Sequence, residues 1–124
     1  MSTKILIIDD ETDLANIIKD YLEDETDFKV DLMFSGEKSL EIINKLQPDI
    51  CIVDMRLPNM NGNEFIIKAH AKLPLCKFII HTGSIDYSIP AELSQIGMTN
   101  ECIIYKPVIE LSKFSNKIRK LLQL

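Results

Sequence analysis

A chain of 124 residues fits one domain of ordinary size and leaves no room for two. Hydrophobic residues make up 46% and charged residues 27%, an ordinary globular balance that excludes a disordered tail, a collagen-like repeat or a mucin-like stalk. Fourteen Lys and Arg against nineteen Asp and Glu give a net charge of -5, so the basic footprint of a general nucleic-acid binder is absent and no direct nucleic-acid contact is expected. The longest apolar runs, such as Ile5 to Ile8 and Phe78 to Ile80, fall far short of the ~20 residues that span a bilayer. Met1-Ser2-Thr3-Lys4 reaches Asp9 too soon for a signal peptide, so a cytoplasmic chain is expected. Cys51, Cys76 and Cys102 sit singly among apolar residues without metal-ligand spacing, and read as buried reduced thiols.

Along the chain, Lys4 to Ile8 is a β-branched apolar run that stops at two acids, the mark of a strand covered on both faces. Leu14, Ile17, Ile18, Tyr21 and Leu22 then form one helical stripe, with Thr12 or Asp13 near its start. Phe28, Val30, Leu32 and Phe34 alternate with Lys29, Asp31 and Met33, which predicts an edge strand with one less protected face. Ser35 is a candidate cap for a second helix carrying Leu40, Ile43 and Leu46, and that helix must end before Pro48. Asp49 to Asp54 is another buried strand ending in an acid, and the segment to Asn61, with Pro58 inside it, is a loop. A third helix is predicted over Asn63 to Ala71 and a fourth strand over Cys76 to His81, running into Thr82-Gly83. A short helix starts near Pro90 and stops by Gly97. Cys102 to Tyr105 is the fifth strand, followed by Lys106-Pro107 and a last helix with Leu111, Phe114, Ile118, Leu121 and Leu122 as its stripe.

Five strands alternating with five helices imply a doubly wound α/β domain with a five-stranded parallel sheet and helices on both faces, because each parallel crossover needs a helix. A single domain over residues 1–124 is expected. Ligands of such sheets bind beyond the carboxyl ends of the strands, where the winding reverses. Those ends carry Asp9 and Asp10, Asp54, Thr82 and Lys106. Three carboxylates brought together need a cation or raised pKa values, and an all-oxygen cluster suits Mg²⁺. Lys106 supplies a point charge and Thr82 a hydroxyl donor, the equipment for holding a phosphoryl group. A carboxylate is a competent nucleophile in phosphoryl transfer, and Asp54 is the best placed because it ends a central strand. Each residue alone has an ordinary reading as a solvated acid, a helix cap or a surface turn; their coincidence at equivalent strand ends points to a site. Neither His70 nor His81 has a spacing partner for metal ligation.

Ile7-Ile8-Asp9-Asp10-Glu11, Ile52 to Gly62, Thr82-Gly83 and Lys106-Pro107 resemble, in order and spacing, the motifs of the receiver domain of two-component response regulators. The resemblance covers essentially the whole chain and implies strand order 2-1-3-4-5. It implies that Asp54 is the phospho-acceptor, Asp10 a direct Mg²⁺ ligand, Asp9 a ligand through water, and the Arg56 backbone carbonyl a further ligand. Lys106 would contact the phosphoryl oxygens, Thr82 would move toward them, and the bond to Pro107 would be cis. The implied partners are a histidine kinase or histidine phosphotransfer protein upstream and an effector protein or output domain downstream, with a regulatory and not an enzymatic role. Phosphorylation would bias an equilibrium that repositions the surface near the fourth helix and fifth strand.

Two features depart from the family. The aromatic residue usual three positions before the lysine is Ile103, while Tyr105 shares its sheet face by alternation. The Gly83 to Ile89 segment, followed by Pro90, predicts a fourth helix that starts late and is short. A receiver-shaped module that binds a partner without phosphorylation is therefore the rival reading. A haloacid-dehalogenase-type phosphatase is more remote, since its second aspartate would fall at Arg56. The four glycines make no nucleotide-binding fingerprint. An end at Leu124, just past the last helix, fits either a stand-alone regulator or a receiver from a longer protein.

Overall fold

The computed structural model describes residues 2–124; Met1, which opens the segment read above for a leader, lies outside the described residues. In chain order the elements are β1 (Lys4–Ile8), α1 (Thr12–Glu25), β2 (Lys29–Met33), α2 (Gly36–Leu46), β3 (Ile50–Asp54), α3 (Gly62–Lys72), β4 (Lys77–Thr82), α4 (Ala91–Ser94), a 3₁₀ turn (Asn100–Cys102), β5 (Ile103–Tyr105) and α5 (Ser112–Leu122). All strand pairs are parallel and the order is β2-β1-β3-β4-β5, the doubly wound arrangement expected. Period-2 alternation divides the core between the two faces of the sheet. Leu6, Ile8, Cys51, Val53, Ile80 and Ile103 pack under α2, α3 and α4 with Ile43, Phe65, Ile66 and Leu93. Ile5, Ile7, Ile52, Ile79 and Ile104 pack under α1 and α5 with Ile18, Leu22, Phe114 and Ile118. No helix among the described residues is long and apolar enough to cross a membrane.

Local signals set the ends of the elements. The Ser35 hydroxyl accepts from the Lys38 N–H and caps α2, which closes on Gln47 in the left-handed region just ahead of Pro48. Asn61 caps α3 through the Glu64 N–H. Pro90 precedes α4, whose four residues give way to Gly97 at φ +94°, with the Met98 N–H returning to the Leu93 carbonyl. The fourth helix is thus late and short, as its sequence indicates.

Two expectations need correction. Ile17 is 53% exposed and leaves the α1 stripe, because it lies about 100° around the helix from Ile18, the centre of the buried face. The cysteines do not all sit singly, for Cys51 and Cys76 Sγ approach to 3.8 Å across the β3–β4 boundary, although all three remain free thiols. Gly62 ties the fold to the strand-end residues. A β-carbon there would collide with Met55 Cε and lie 2.8 Å from the Asp54 carbonyl oxygen. Gly62→Ala is therefore expected to cost about 1–3 kcal/mol in urea unfolding, the usual penalty for overpacking, and an unchanged midpoint would show that the strand end yields freely.

Candidate functional site

The winding reverses between β1 and β3, which are hydrogen-bonded neighbours, so the crevice opens beyond Ile8 and Asp54. Asp9 continues the β1 ladder, its N–H donating to the Met33 carbonyl at 3.1 Å. Its Oδ1 accepts from the Glu11 N–H at 2.9 Å. Asp54 closes β3, and its Oδ1 accepts from the Arg56 N–H at 3.1 Å. Both aspartates are buried, so each has one oxygen fixed by backbone and the other turned to the crevice. Lys106 directly follows β5 and is joined to Pro107 by a cis bond, with its own N–H on the Thr82 carbonyl at 2.7 Å. Its ammonium reaches Asp9 Oδ2 and Asp54 Oδ2, each at 3.6 Å, and Glu11 Oε1 at 3.1 Å.

The electrostatics follow from this crowding. Burial pushes the Asp9 carboxyl up to about 6, aided by the charges of Asp54 and Glu11 and opposed by the Glu11 N–H and Lys106. For Lys106, burial works against the charged form, but the Glu11 hydrogen bond and the three surrounding carboxylates outweigh it and hold the ammonium above the usual lysine value. His81, beside Asp54 in the β3–β4 register, packs edge-on against Phe114 with a centroid separation of 5.0 Å. Neither of its ring nitrogens has a hydrogen-bond partner among the described residues. Burial, with Lys106 nearby, pushes it down to about 4, so the imidazole is neutral at neutral pH.

A cavity of about 350 Å³ above these groups is lined by Asp10, Glu11, Asp54, Arg56, Gly83 and Lys106. The structure therefore gathers Asp9, Asp10, Asp54, Arg56, Gly83 and Lys106 at one place, as their strand-end positions imply. The tightest carboxylate cluster is Asp9, Glu11 and Asp54, with oxygens within 4.8 Å of one another; Asp10 lines the cavity outside that cluster. Glu11 is the residue the sequence left without a role, and its only signal there is a third consecutive acid. With Glu11 engaged by Lys106, the carboxylates of Asp9, Asp10 and Asp54 remain as an oxygen set that fits a hard divalent cation, which would supply the missing positive charge.

Thr82 is buried, with Oγ1 accepting from the Ser84 N–H at 3.2 Å. Tyr105 stands opposite Thr82 in the β4–β5 register, while Ile103 is buried two residues earlier on the same face. The Tyr105 hydroxyl donates to the Tyr87 carbonyl at 2.8 Å, and the Tyr87 hydroxyl donates to Asn63 Oδ1 of α3, also at 2.8 Å. A model of the response regulator receiver domain matches residues 5–119. The chain belongs to that family. Among similar proteins, the DNA-binding response regulator MtrA of Mycolicibacterium paratuberculosis is 28% identical over 94 residues, 74% of this chain and 41% of that protein. The regulatory protein VanR of Enterococcus faecium is 39% identical over 62 residues, 50% of this chain and 26% of VanR. The receiver domain thus matches less than half the length of these relatives. A receiver domain protein (CheY-like) from Methanospirillum hungatei superposes with a TM-score of 0.81 at 28% identity, covering 99% of this chain and 95% of that one. The non-phosphorylated HemR receiver domain of Leptospira biflexa, at 21% identity, shares the fold with a TM-score of 0.80, covering 99% and 96%.

Proposed function

We propose that this receiver domain takes a phosphoryl group onto Asp54 from a histidine kinase or histidine phosphotransfer protein and passes the change to an effector protein or output domain. The observation that carries the reading is the state of the Asp54 carboxylate. Oδ1 is engaged by the Arg56 N–H, whereas Oδ2 faces the cavity with the Lys106 ammonium 3.6 Å away. Attack by Oδ2 on phosphorus would form the acyl phosphate as the bond to the donor breaks, and Lys106 would meet the oxygens that carry the charge. Mg²⁺, held by Asp9, Asp10, Asp54 and the Arg56 carbonyl, would neutralise the carboxylates and the incoming anion. The Arg56 side chain is exposed at the rim and free of ion pairs among the described residues, available to a phosphoryl oxygen. Intact-mass measurement after incubation with a small acyl phosphate tests the reading: a gain of about 80 Da, one phosphoryl unit, is expected with Mg²⁺ and not with a chelator. No gain under any Mg²⁺ concentration would favour a module that binds its partner unphosphorylated.

The switch would run through hydrogen bonds that this chain supplies in place of an aromatic at position 103. Thr82 Oγ1 holds the Ser84 N–H, the Ser84 carbonyl holds the Tyr87 N–H at 3.1 Å, and Tyr87 is gripped by both Tyr105 and Asn63. Turning the Thr82 hydroxyl to a phosphoryl group releases the first of these bonds. Gly83, next to Thr82, lacks a β-carbon and so leaves the backbone free to rearrange. Ile103, β-branched and buried, has no hydroxyl to exchange. Addition of beryllofluoride should shift the amide resonances of residues 83–89 and the start of α4 more than that of Ile103. Changes confined to the neighbours of Asp54 would remove this route.

A further inference from the structure

In the resting structure the nearest partner of Lys106 is Glu11, not either buried aspartate. The ammonium makes one hydrogen bond, to Glu11 at 3.1 Å, whereas Asp9 and Asp54, each at 3.6 Å, are ion pairs beyond hydrogen-bond distance. Glu11 therefore holds the ammonium toward the cavity mouth, and a phosphoryl oxygen competes with it for the same cation. Asp9 and Asp54 have no freedom to withdraw, because each is buried with its other oxygen fixed by a backbone N–H. Glu11 has it. Its side chain is 59% exposed at the cavity mouth. Its backbone stays anchored, with the N–H on Asp9 Oδ1 and the carbonyl accepting from Ala15. The carboxylate therefore has a route into solvent that moves nothing else.

We propose that Glu11 is a positioning residue that holds Lys106 by its one hydrogen bond in the resting state and swings away as the ammonium turns to a phosphoryl group. Glu11 then sets how fast Asp54 is loaded, not whether it is loaded. The same carboxylate lies within 4.8 Å of the reactive oxygens, so it also opposes an incoming anion until it leaves. This inference rests on Asp54 as the acceptor, and its test separates the two.

Glu11→Gln keeps the size of the side chain and removes its charge. With acetyl phosphate and saturating Mg²⁺, the initial rate of the 80 Da gain should rise about two- to fivefold, the range for loss of one partly exposed ion pair. The Mg²⁺ dissociation constant, read by calorimetry on the unphosphorylated protein, should stay within about twofold of the parent value. Without Mg²⁺ or phosphodonor, the Lys106 amine should react faster with an acylating reagent in the variant, located by peptide mass mapping. An unchanged or slower loading rate would overturn the proposal. So would a Mg²⁺ affinity lowered tenfold or more, which would make Glu11 a metal ligand. If the parent protein takes no phosphoryl group at all, the Asp54 reading fails. Lys106 labelling still decides whether Glu11 guards the amine, and equal labelling of parent and variant would overturn that as well.

Discussion

Asp54→Asn is expected to abolish the 80 Da adduct entirely while leaving the fold intact. The amide matches the carboxylate in volume, and its oxygen still accepts the Arg56 N–H that holds Asp54 Oδ1 at 3.1 Å. The packing around this buried strand end is therefore preserved, whereas Asp54→Ala would strand that N–H at a cost of about 1–3 kcal/mol. What disappears is the nucleophile, since an amide nitrogen or oxygen has none of the reactivity of a carboxylate toward phosphorus. Removing this charge also relieves Asp9, whose carboxyl the Asp54 charge helps to push up, so the variant should unfold at a temperature no lower than the parent. Intact mass and a melting curve on the same samples are sufficient. An adduct of undiminished yield in Asp54→Asn would move the acceptor to another carboxylate of the cavity, with Asp10 and Glu11 the first to examine.

The residues that were legible from sequence are those whose surroundings are set by local pattern. Lys4 to Ile8 and Ile50 to Asp54 are apolar without alternation because both faces of a central parallel strand are covered, and the acids that stop them fall at the crevice for the same reason. Ser35 announced a helix start because a cap acts over three residues, whereas Asn61 read as the end of a loop although it caps α3. The Glu11 contact with Lys106 spans 95 residues of chain, and no local signal encodes how far a glutamate reaches across a crevice. The Tyr105 face followed from alternation, but its acceptor, the Tyr87 carbonyl, belongs to an irregular loop whose path depends on tertiary packing. Cys51 and Cys76 met because β3 and β4 are neighbours with a register that only the assembled sheet defines. Ile17 shows the opposite limit: helical spacing admits it to the stripe, and only the width of the surface beneath α1 excludes it.

Asp9→Asn should stabilise the metal-free protein at neutral pH and progressively less as the pH falls. A buried carboxyl pushed up to about 6 from its ordinary 3.8 binds its proton more tightly in the folded state than in the unfolded one. Between those two values the folded protein holds more protons than the unfolded chain, so stability falls as the pH rises. The contribution is full below the unfolded value and is lost as the pH passes through about 6, the reverse of a salt-bridged aspartate whose pKa is depressed. A shift of this size corresponds to about 3 kcal/mol by pH 7. Asparagine keeps the acceptor for the Glu11 N–H and has nothing to ionise, so the advantage of the variant over the parent should grow by about that amount between about pH 4 and pH 7. Lys106 loses one neighbour but keeps Asp54 and Glu11, which limits the offset. A cation in the crevice acts on the same carboxylate, so Mg²⁺ should restore more stability to the parent than to the variant. Urea unfolding in chelator at three pH values, with and without added Mg²⁺, measures both differences. A gap between variant and parent that stays constant from about pH 4 to pH 7 would mean that Asp9 ionises in the folded protein as easily as in water, and the crevice would then be far wetter than its burial implies.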